Sequence, residues 1–356
     1  MARIAILGAG MMGSAFAVPL VERGHEVRLI GTGLDDEIIW LLKRGAEHLT
    51  LRHPLPSAIQ PFSEDELSAA LEGVDAIALG VSSAGVRWAG RALAGLRARV
   101  PLLMISKGLH WDGARFVILP DVLKQELPAG LGIEPVAVAG PCIAGELVRR
   151  VETCAVFTGR DAHSCAAWAE LARAPFYHVF TSADPVGIEA CAALKNAYAM
   201  GIGFATGQHE RNGGSPGSVA MHNCEAALYA QAIAEAERLV VLLGGAPGTA
   251  AGLAFAGDLN VTCNGGRTGR FGRFLGQGLG RKRAIEAMQG ATLECLEILE
   301  TLRAGLAVLE GTGTLARGEL PFLDHMLSVA LDDQPVIIPY ASFFKELRPT
   351  GSAASS

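Results

Sequence analysis

A chain of 356 residues is longer than one ordinary core requires and is read as two domains, at about 150 residues per domain. Hydrophobic residues make up 50% and charged residues 19%, with Gly 44, a composition that excludes disordered and collagen-like classes. The net charge of −6, from 36 acidic against 30 basic residues, gives no general field for a phosphate polymer, so no nucleic-acid partner is expected.

No charged side chain occurs from Ile4 to Val21, and with Arg3 in front the segment superficially resembles a signal peptide or a short membrane span. Its internal order argues for strand, turn and helix: Arg3–Leu7 is a short apolar run, Gly8-Ala-Gly10-Met11-Met12-Gly13 follows at once, and Ser14 to Arg23 has helical character. A buried parallel strand is apolar on both faces, which accounts for the missing charge. In such a turn the first glycine allows the tight bend and the second lets the backbone approach a pyrophosphate. The third lets the helix pack closely, with its N-terminal amides toward the phosphates. A second strand, Glu26–Ile30, then supplies the context that makes a dinucleotide site the reading.

An acidic residue closing that second strand would bind a ribose 2′-hydroxyl, and a basic one a 2′-phosphate. Gly31-Thr32-Gly33 stands there instead, with Asp35 and Asp36 beyond, so the cofactor is NAD or NADP. Thr32 can donate a hydrogen bond to either group. Next, His48 and His53 have no cysteine or carboxylate cluster around them and are read as loop or surface histidines. The cysteines lack metal-type spacing, and no metal is predicted. An odd set of seven cysteines without a CxxC pair fits free thiols in a reducing compartment.

The βα rhythm continues with Asp75–Val81, ending at Ser82-Ser83, with Val100–Ile105, ending at Ser106-Lys107-Gly108, and with Pro135–Ala139, ending at Gly140-Pro141-Cys142. Ligands bind at such strand ends in open α/β sheets. Beyond about residue 185 helical patterns take over, notably Cys224–Leu243 and Arg283–Leu309. The expected fold is therefore an α/β Rossmann-type domain with a parallel sheet over residues 1–183, then an all-α substrate-binding domain over 184–348, with a disordered tail at 349–356.

Lys195 lies among Ala, Leu and Cys in a segment taken as a helix start, where partial desolvation would lower its pKa toward the range of proton transfer. The plain alternative is a snorkelling surface lysine. Lys107 at a strand end and Asp258 between glycine and leucine weigh against it, because buried charges need partners and a Lys-Asp-Lys cluster supplies them. A glycine-rich loop, Thr262-Cys-Asn-Gly-Gly266-Arg267-Thr268, has the amides and guanidinium that suit a phosphate dianion, although a loop between helices needs no ligand.

Taken in order, these motifs resemble the NAD(P)-dependent glycerol-3-phosphate dehydrogenases. The resemblance runs from Gly8–Gly13 through Ser106–Leu109, Ala139–Glu146, Gly187–Glu189, Ala193–Asn196, Gly257–Leu259 and Thr262–Arg267 to Phe271–Gly278. It implies reversible hydride transfer between a nicotinamide and dihydroxyacetone phosphate. Lys195 would be the general acid and base, Lys107 would hold substrate and its oxyanion, and Asp258 would orient the lysine. Asn196 and Thr262 would hydrogen-bond substrate near Gly140 and Cys142, and Arg267, flanked by Gly266 and Thr268, would clamp the phosphate and touch the cofactor. Met11, Met12, Thr32, Ser82, Ala144 and Glu294 would complete the cofactor's surroundings. A homodimer is also implied, with a small anionic substrate and no membrane insertion, and with no targeting signal read in the chain the cytoplasm is the expected location.

Departures from the family pattern gather at the substrate end. Cys142 replaces a serine and Thr268 an asparagine, Ala230-Gln231 replaces Thr-Arg, no Tyr-Leu-Pro pattern occurs near His48 and Arg52, and Gly207–His222 reads as a lengthened loop. The alternatives are therefore the same chemistry on another polyol phosphate or a sulfonate, a dehydrogenase acting on an imine or amino acid, and a nucleotide sensor without catalysis.

Overall fold

The computed structural model describes residues 1–96, 99–215, 221–264 and 266–344. The tail expected to be disordered, 349–356, lies outside them, as do Gly265 of the glycine-rich loop and residues 216–220. Two compact units divide the chain: Met1–Asn196 with Ala236–Asn264, and the described parts of Ala197–Glu235 and Gly265–Ser356.

In the first unit, strands β1 (Arg3–Leu7), β2 (Glu26–Ile30), β3 (Ile59–Phe62), β4 (Ala76–Leu79), β5 (Leu102–Met104), β8 (Val136–Ala139), β9 (Thr153–Thr158) and β10 (Tyr177–Ser182) form an 8-stranded sheet in the order β10-β9-β8-β5-β4-β1-β2-β3. Between β5 and β8 the hairpin β6 (Leu109–Trp111) and β7 (Phe116–Ile118) pairs separately. The helices around the sheet are α1 (Met11–Glu22), α2 (Asp36–Leu42), α3 (Leu67–Ala70), α4 (Val86–Ala92), α5 (Leu119–Lys124), α6 (Ala144–Leu147) and α7 (Ala162–Ala172). All sheet pairings are parallel except β8 with β9, where Ala137 stands opposite Thr158. The expected parallel sheet is thus mostly parallel, with β9 and β10 running opposite to the rest.

Strand β1 explains its own lack of charge. Ile4 and Ile6 enter one core with Phe16 of α1 and Trp168 of α7, while Ala5 and Leu7 enter a second with Val86 and Val122 of α4 and α5. Both faces of the strand are covered, so every side chain after Arg3 is apolar. Strands β3, β9 and β10 carry no comparable signal. In β10, buried Tyr177 and Val179 alternate with exposed His178 and Phe180, as an edge strand does.

The remaining helices are α8 (Pro185–Arg211), α9 (His222–Leu242), α10 (Asp258–Cys263), α11 (Arg267–Gly276), α12 (Arg281–Ala287), α13 (Glu294–Gly311) and α14 (Pro321–Asp332). The unit boundaries fall inside α8, after Asn196, and inside α9, after Glu235. The single helix expected over Arg283–Leu309 is two, because Gln289 at φ 53° and Gly290 at φ 78° turn the backbone left-handed between α12 and α13. Lys195 lies well inside the 27-residue α8 rather than at a helix start, and α8 takes in Gly207, so the lengthened loop begins later than expected.

Two contacts organise the second unit. Glu235 of α9 is 2% exposed and accepts hydrogen bonds from the Phe322 and Leu323 amides at the start of α14, from Gln231, and from the Tyr198 hydroxyl. Helices α8 and α11 meet through glycines: Cβ atoms at Gly203, Gly207, Gly272 and Gly276 would stand 1.8 to 2.5 Å from backbone oxygens of the opposite helix. Only hydrogens fit there.

Candidate active site

The sheet order reverses direction in sequence between β1 and β4, which places a topological switch point beside the glycine turn. Gly8 has φ 110°, and a Cβ there would meet the Gly80 carbonyl carbon at 2.7 Å. A Cβ on Gly13 would lie 2.1 Å from the Gly8 oxygen, so α1 packs directly on the turn. Gly10 is different, because a Cβ there meets nothing within 4 Å. Two glycines are spent on packing and the middle one keeps an open face at the start of α1, which fits a pyrophosphate. Met11 is 42% exposed at this rim, Met12 is partly buried against the core, and Ser82 is exposed after β4.

Around the turn the β2–α2 loop behaves differently from expectation. Asp35 is 8% exposed, and its Oδ2 accepts from the Ala9 amide at 3.1 Å, the Thr32 amide at 2.9 Å and the Thr32 hydroxyl at 2.8 Å. Thr32 therefore donates its proton inward to Asp35, and the carboxylate nearest the end of β2 is occupied with the loop itself. His48, expected in a loop or on the surface, is fully buried and bonds the Ala9 carbonyl at 2.9 Å. Sequence reasoning named both residues but gave neither its contact with Ala9, because neither stands in a pattern that marks one.

The expected charge cluster is assembled within the first unit. Asp258 opens α10 directly after a π-helical turn, Leu253–Gly257. Its Oδ1 accepts from Lys195 Nζ at 2.5 Å and its Oδ2 from Lys107 Nζ at 2.8 Å. The side-chain exposures are 2% for Asp258, 11% for Lys195 and 21% for Lys107. Burial works to raise the Asp258 carboxyl, but the two ammonium groups outweigh it and hold the group below its ordinary range. Lys107 follows β5 and precedes the hairpin, so the sheet carries one lysine while α8 carries the other.

Cys142, in the turn between β8 and α6, lies within electrostatic reach of Lys107, Asp258 and Lys195, and burial pushes its thiol up to about 11. Gly140 stands before it at φ 115°, and Ala144 begins α6 in a buried position. Asn196 is 6% exposed next to Lys195. Thr262, one turn after Asp258, donates its hydroxyl to the Asp258 carbonyl at 2.6 Å, which leaves its oxygen to accept. The glycine-rich loop is shorter than the sequence suggests, since Thr262 and Cys263 end α10 while Arg267 and Thr268 open α11 after Gly266.

Arg267, Thr268 and Glu294 belong to the second unit. Arg267 and Glu294 approach to 3.7 Å with both side chains 46% exposed, and Thr268 is 7% exposed. One further ionisable group was missed. Glu189 of α8 is fully buried, neither carboxyl oxygen has a hydrogen-bond partner, and burial pushes it up to about 8 against the pull of Lys107. The signal that marked Lys195, a charge in an apolar helical run, was present there too. Among the described residues no His, Cys, Asp or Glu group of three or more could hold a metal ion, and no helix is long and apolar enough to cross a membrane.

Comparison with known proteins places the chain. Residues 3–165 match the model of the NAD-dependent glycerol-3-phosphate dehydrogenase N-terminus and residues 184–337 that of its C-terminus. The NADP(+)-dependent glycerol-3-phosphate dehydrogenase of Archaeoglobus fulgidus is 35% identical over 312 residues, covering 87% of each chain. An NAD(P)+ glycerol-3-phosphate dehydrogenase of Desulfitobacterium hafniense is 33% identical over 282 residues, 78% of this chain and 75% of that one. The crystal structure of glycerol-3-phosphate dehydrogenase from Coxiella burnetii superposes with a TM-score of 0.77 at 26% identity, covering 96% and 97% of the two chains. With both halves matched in order and relatives aligned over most of its length, the chain belongs to the NAD-dependent glycerol-3-phosphate dehydrogenase family.

Proposed function

We propose that the protein interconverts sn-glycerol 3-phosphate and dihydroxyacetone phosphate with NAD or NADP. The observation that carries this reading is the Lys107–Asp258–Lys195 cluster. Two ammonium groups against one carboxylate leave a net positive charge in a poorly solvated place, which suits an anionic substrate and an oxygen that becomes negative in the transition state. The family membership supports the substrate, as do relatives named for it.

When bound, the nicotinamide supplies the hydride in reduction and takes it in oxidation. Lys195 gives a proton to the developing alkoxide in reduction and removes it in oxidation. Its bond to Asp258 uses one ammonium donor and fixes where the others point. Lys107 stabilises the same oxygen by charge. Asn196 and Thr262 hold substrate oxygens beside Gly140 and Cys142, whose thiol is a weaker donor than a serine hydroxyl. Arg267, with Gly266 and Thr268, takes the phosphate by its guanidinium and the first amides of α11. On the cofactor side Gly8, Gly10 and Gly13 shape the pyrophosphate turn, with Met11, Met12, Thr32 and Ser82 around it and Ala144, Lys107, Arg267 and Glu294 toward the nicotinamide. The division into a dinucleotide-binding domain at 1–183 and a substrate domain at 184–348 is supported by the family matches at 3–165 and 184–337, although Lys195, Asp258 and Thr262 lie in the compact unit that carries the sheet. A homodimer in the cytoplasm completes the reading, supported by the family resemblance and by seven cysteines that are all free.

The test measures oxidation with NAD and with NADP against glycerol 3-phosphate, other polyol phosphates, sulfonates and unphosphorylated polyols. Glycerol 3-phosphate is expected to give the highest kcat/KM; preference for another compound would replace it as substrate, and tight nucleotide binding without turnover of any would favour a sensor. In the same assay Lys195→Ala is expected to lower kcat about 10²- to 10⁴-fold with nucleotide affinity retained. Arg267→Ala is expected to act mainly on the KM of the phosphorylated substrate.

A further inference from the structure

Ala9, between the first two glycines of the turn, has both of its backbone polar groups held by side chains from elsewhere. Its amide donates to Asp35, and its carbonyl accepts from His48 Nε2 at 2.9 Å and from the Ser14 hydroxyl at 2.9 Å. His48 is fully buried, and its other ring nitrogen, Nδ1, faces the backbone amides of Leu51 at 3.2 Å and Thr50 at 3.3 Å. A carbonyl can only accept and an amide can only donate, so the chemistry fixes the ring as the neutral tautomer with its proton on Nε2. An imidazolium would set an N–H against these two N–H groups, with the Thr50 hydroxyl oxygen, at 3.4 Å, left to accept its proton.

We propose that His48 is a positioning residue for the dinucleotide: as a neutral imidazole it holds the Ala9 peptide so that the glycine turn keeps the form a pyrophosphate needs, and protonation in mild acid releases the turn and weakens nucleotide binding. The inference rests on reading that turn as the pyrophosphate site. Burial of the ring holds its pKa below the ordinary value, with the Ala9 carbonyl and the charge of Asp35, from the β2–α2 loop, pulling the other way. Asp35 is the charged group that acts on the ring, and it grips the amide side of the same residue. The two side chains hold Ala9 from opposite sides.

Fluorescence titration of NADH and NADPH without substrate tests this, on the wild type, on His48→Gln and on His48→Phe. Glutamine can keep a donor toward Ala9 and cannot titrate; phenylalanine fills the space with no polar atom. For the wild type, Kd is expected to rise at least about fivefold from about pH 7.5 to about pH 5.5, whereas His48→Gln should stay within about threefold of the wild-type value at pH 7.5 and lose most of the pH dependence. His48→Phe should raise Kd about tenfold at pH 7.5 while kcat at saturating nucleotide stays within about threefold, a split that general loosening of the fold would not produce. If His48→Phe does not fold by circular dichroism, the pH profiles of the wild type and His48→Gln decide alone. A pH-independent wild-type Kd, a profile unchanged in His48→Gln, or full affinity in a folded His48→Phe overturns the proposal. A wild type that binds neither nucleotide at any pH overturns the dinucleotide reading itself, and this proposal with it.

Discussion

Among single residues, Glu189 contrasts most with Asp258. Both are buried carboxyl groups near Lys107, but Asp258 accepts two ammonium bonds whereas Glu189 has a hydrogen-bond partner at neither oxygen. Burial pushes Glu189 from its ordinary 4.5 up to about 8, so the folded chain binds that proton more tightly than the unfolded chain. Linkage then gives the sign: stability declines as pH climbs from about 4.5 to about 8, and the loss is complete above that window. Glu189→Gln keeps the shape and removes the titration. It is expected to match the wild type near pH 5 and to exceed it above pH 8 by on the order of a few kcal/mol, read from denaturant melts at several pH values. A difference that does not change with pH would show that Glu189 binds its proton no more tightly in the fold than in the unfolded chain. A neutral Glu189 also leaves the lysine cluster with its excess positive charge at neutral pH, the condition that the proposed proton transfer from Lys195 uses.

At the scale of elements, the turn between β1 and α1 divides its glycines by task. A methyl group at Gly13 has no room against the Gly8 oxygen, and one at Gly10 has open space. Gly13→Ala is therefore expected to cost about 1–3 kcal/mol of stability as well as nucleotide affinity. Gly10→Ala should melt with the wild type yet bind nucleotide at least about tenfold more weakly, because its methyl occupies the face offered to the pyrophosphate. Thermal melts and nucleotide titrations on the two variants separate these effects. Equal nucleotide affinity in Gly10→Ala would remove the phosphates from that face. The sequence pattern carried this element well, since a tight turn, a strand with two covered faces and a close helix each demand particular residue types. It carried His48 and Asp35 poorly, because a hydrogen bond to a distant backbone group leaves no periodicity in the chain.

For the molecule as a whole, the βα rhythm followed by helices made the class of fold legible, and the order of motifs made the family legible. What stayed illegible follows from geometry. The antiparallel β9 and β10 mix polar with apolar residues, and β10 alternates because it lies at the sheet's edge. The break between α12 and α13 rests on two left-handed residues of which only one is glycine. If nucleotide binds the native chain alone, a concentration about a hundredfold over Kd adds about 2.7 kcal/mol to stability, so NADH or NADPH should raise the melting midpoint, and a midpoint indifferent to both would contradict the cofactor assignment. The glycine seam between α8 and α11 bears on how the proposed phosphate grip would come into being. Helix α11 carries Gly269, Gly272 and Gly276 within its 10 residues, and each interior glycine costs roughly 1 kcal/mol of helix propensity. Left to itself the segment would not hold a helix, so Arg267 and the amides beside it acquire their arrangement only by docking, and a methyl group at distant Gly207 would dismantle the proposed phosphate contacts without touching them.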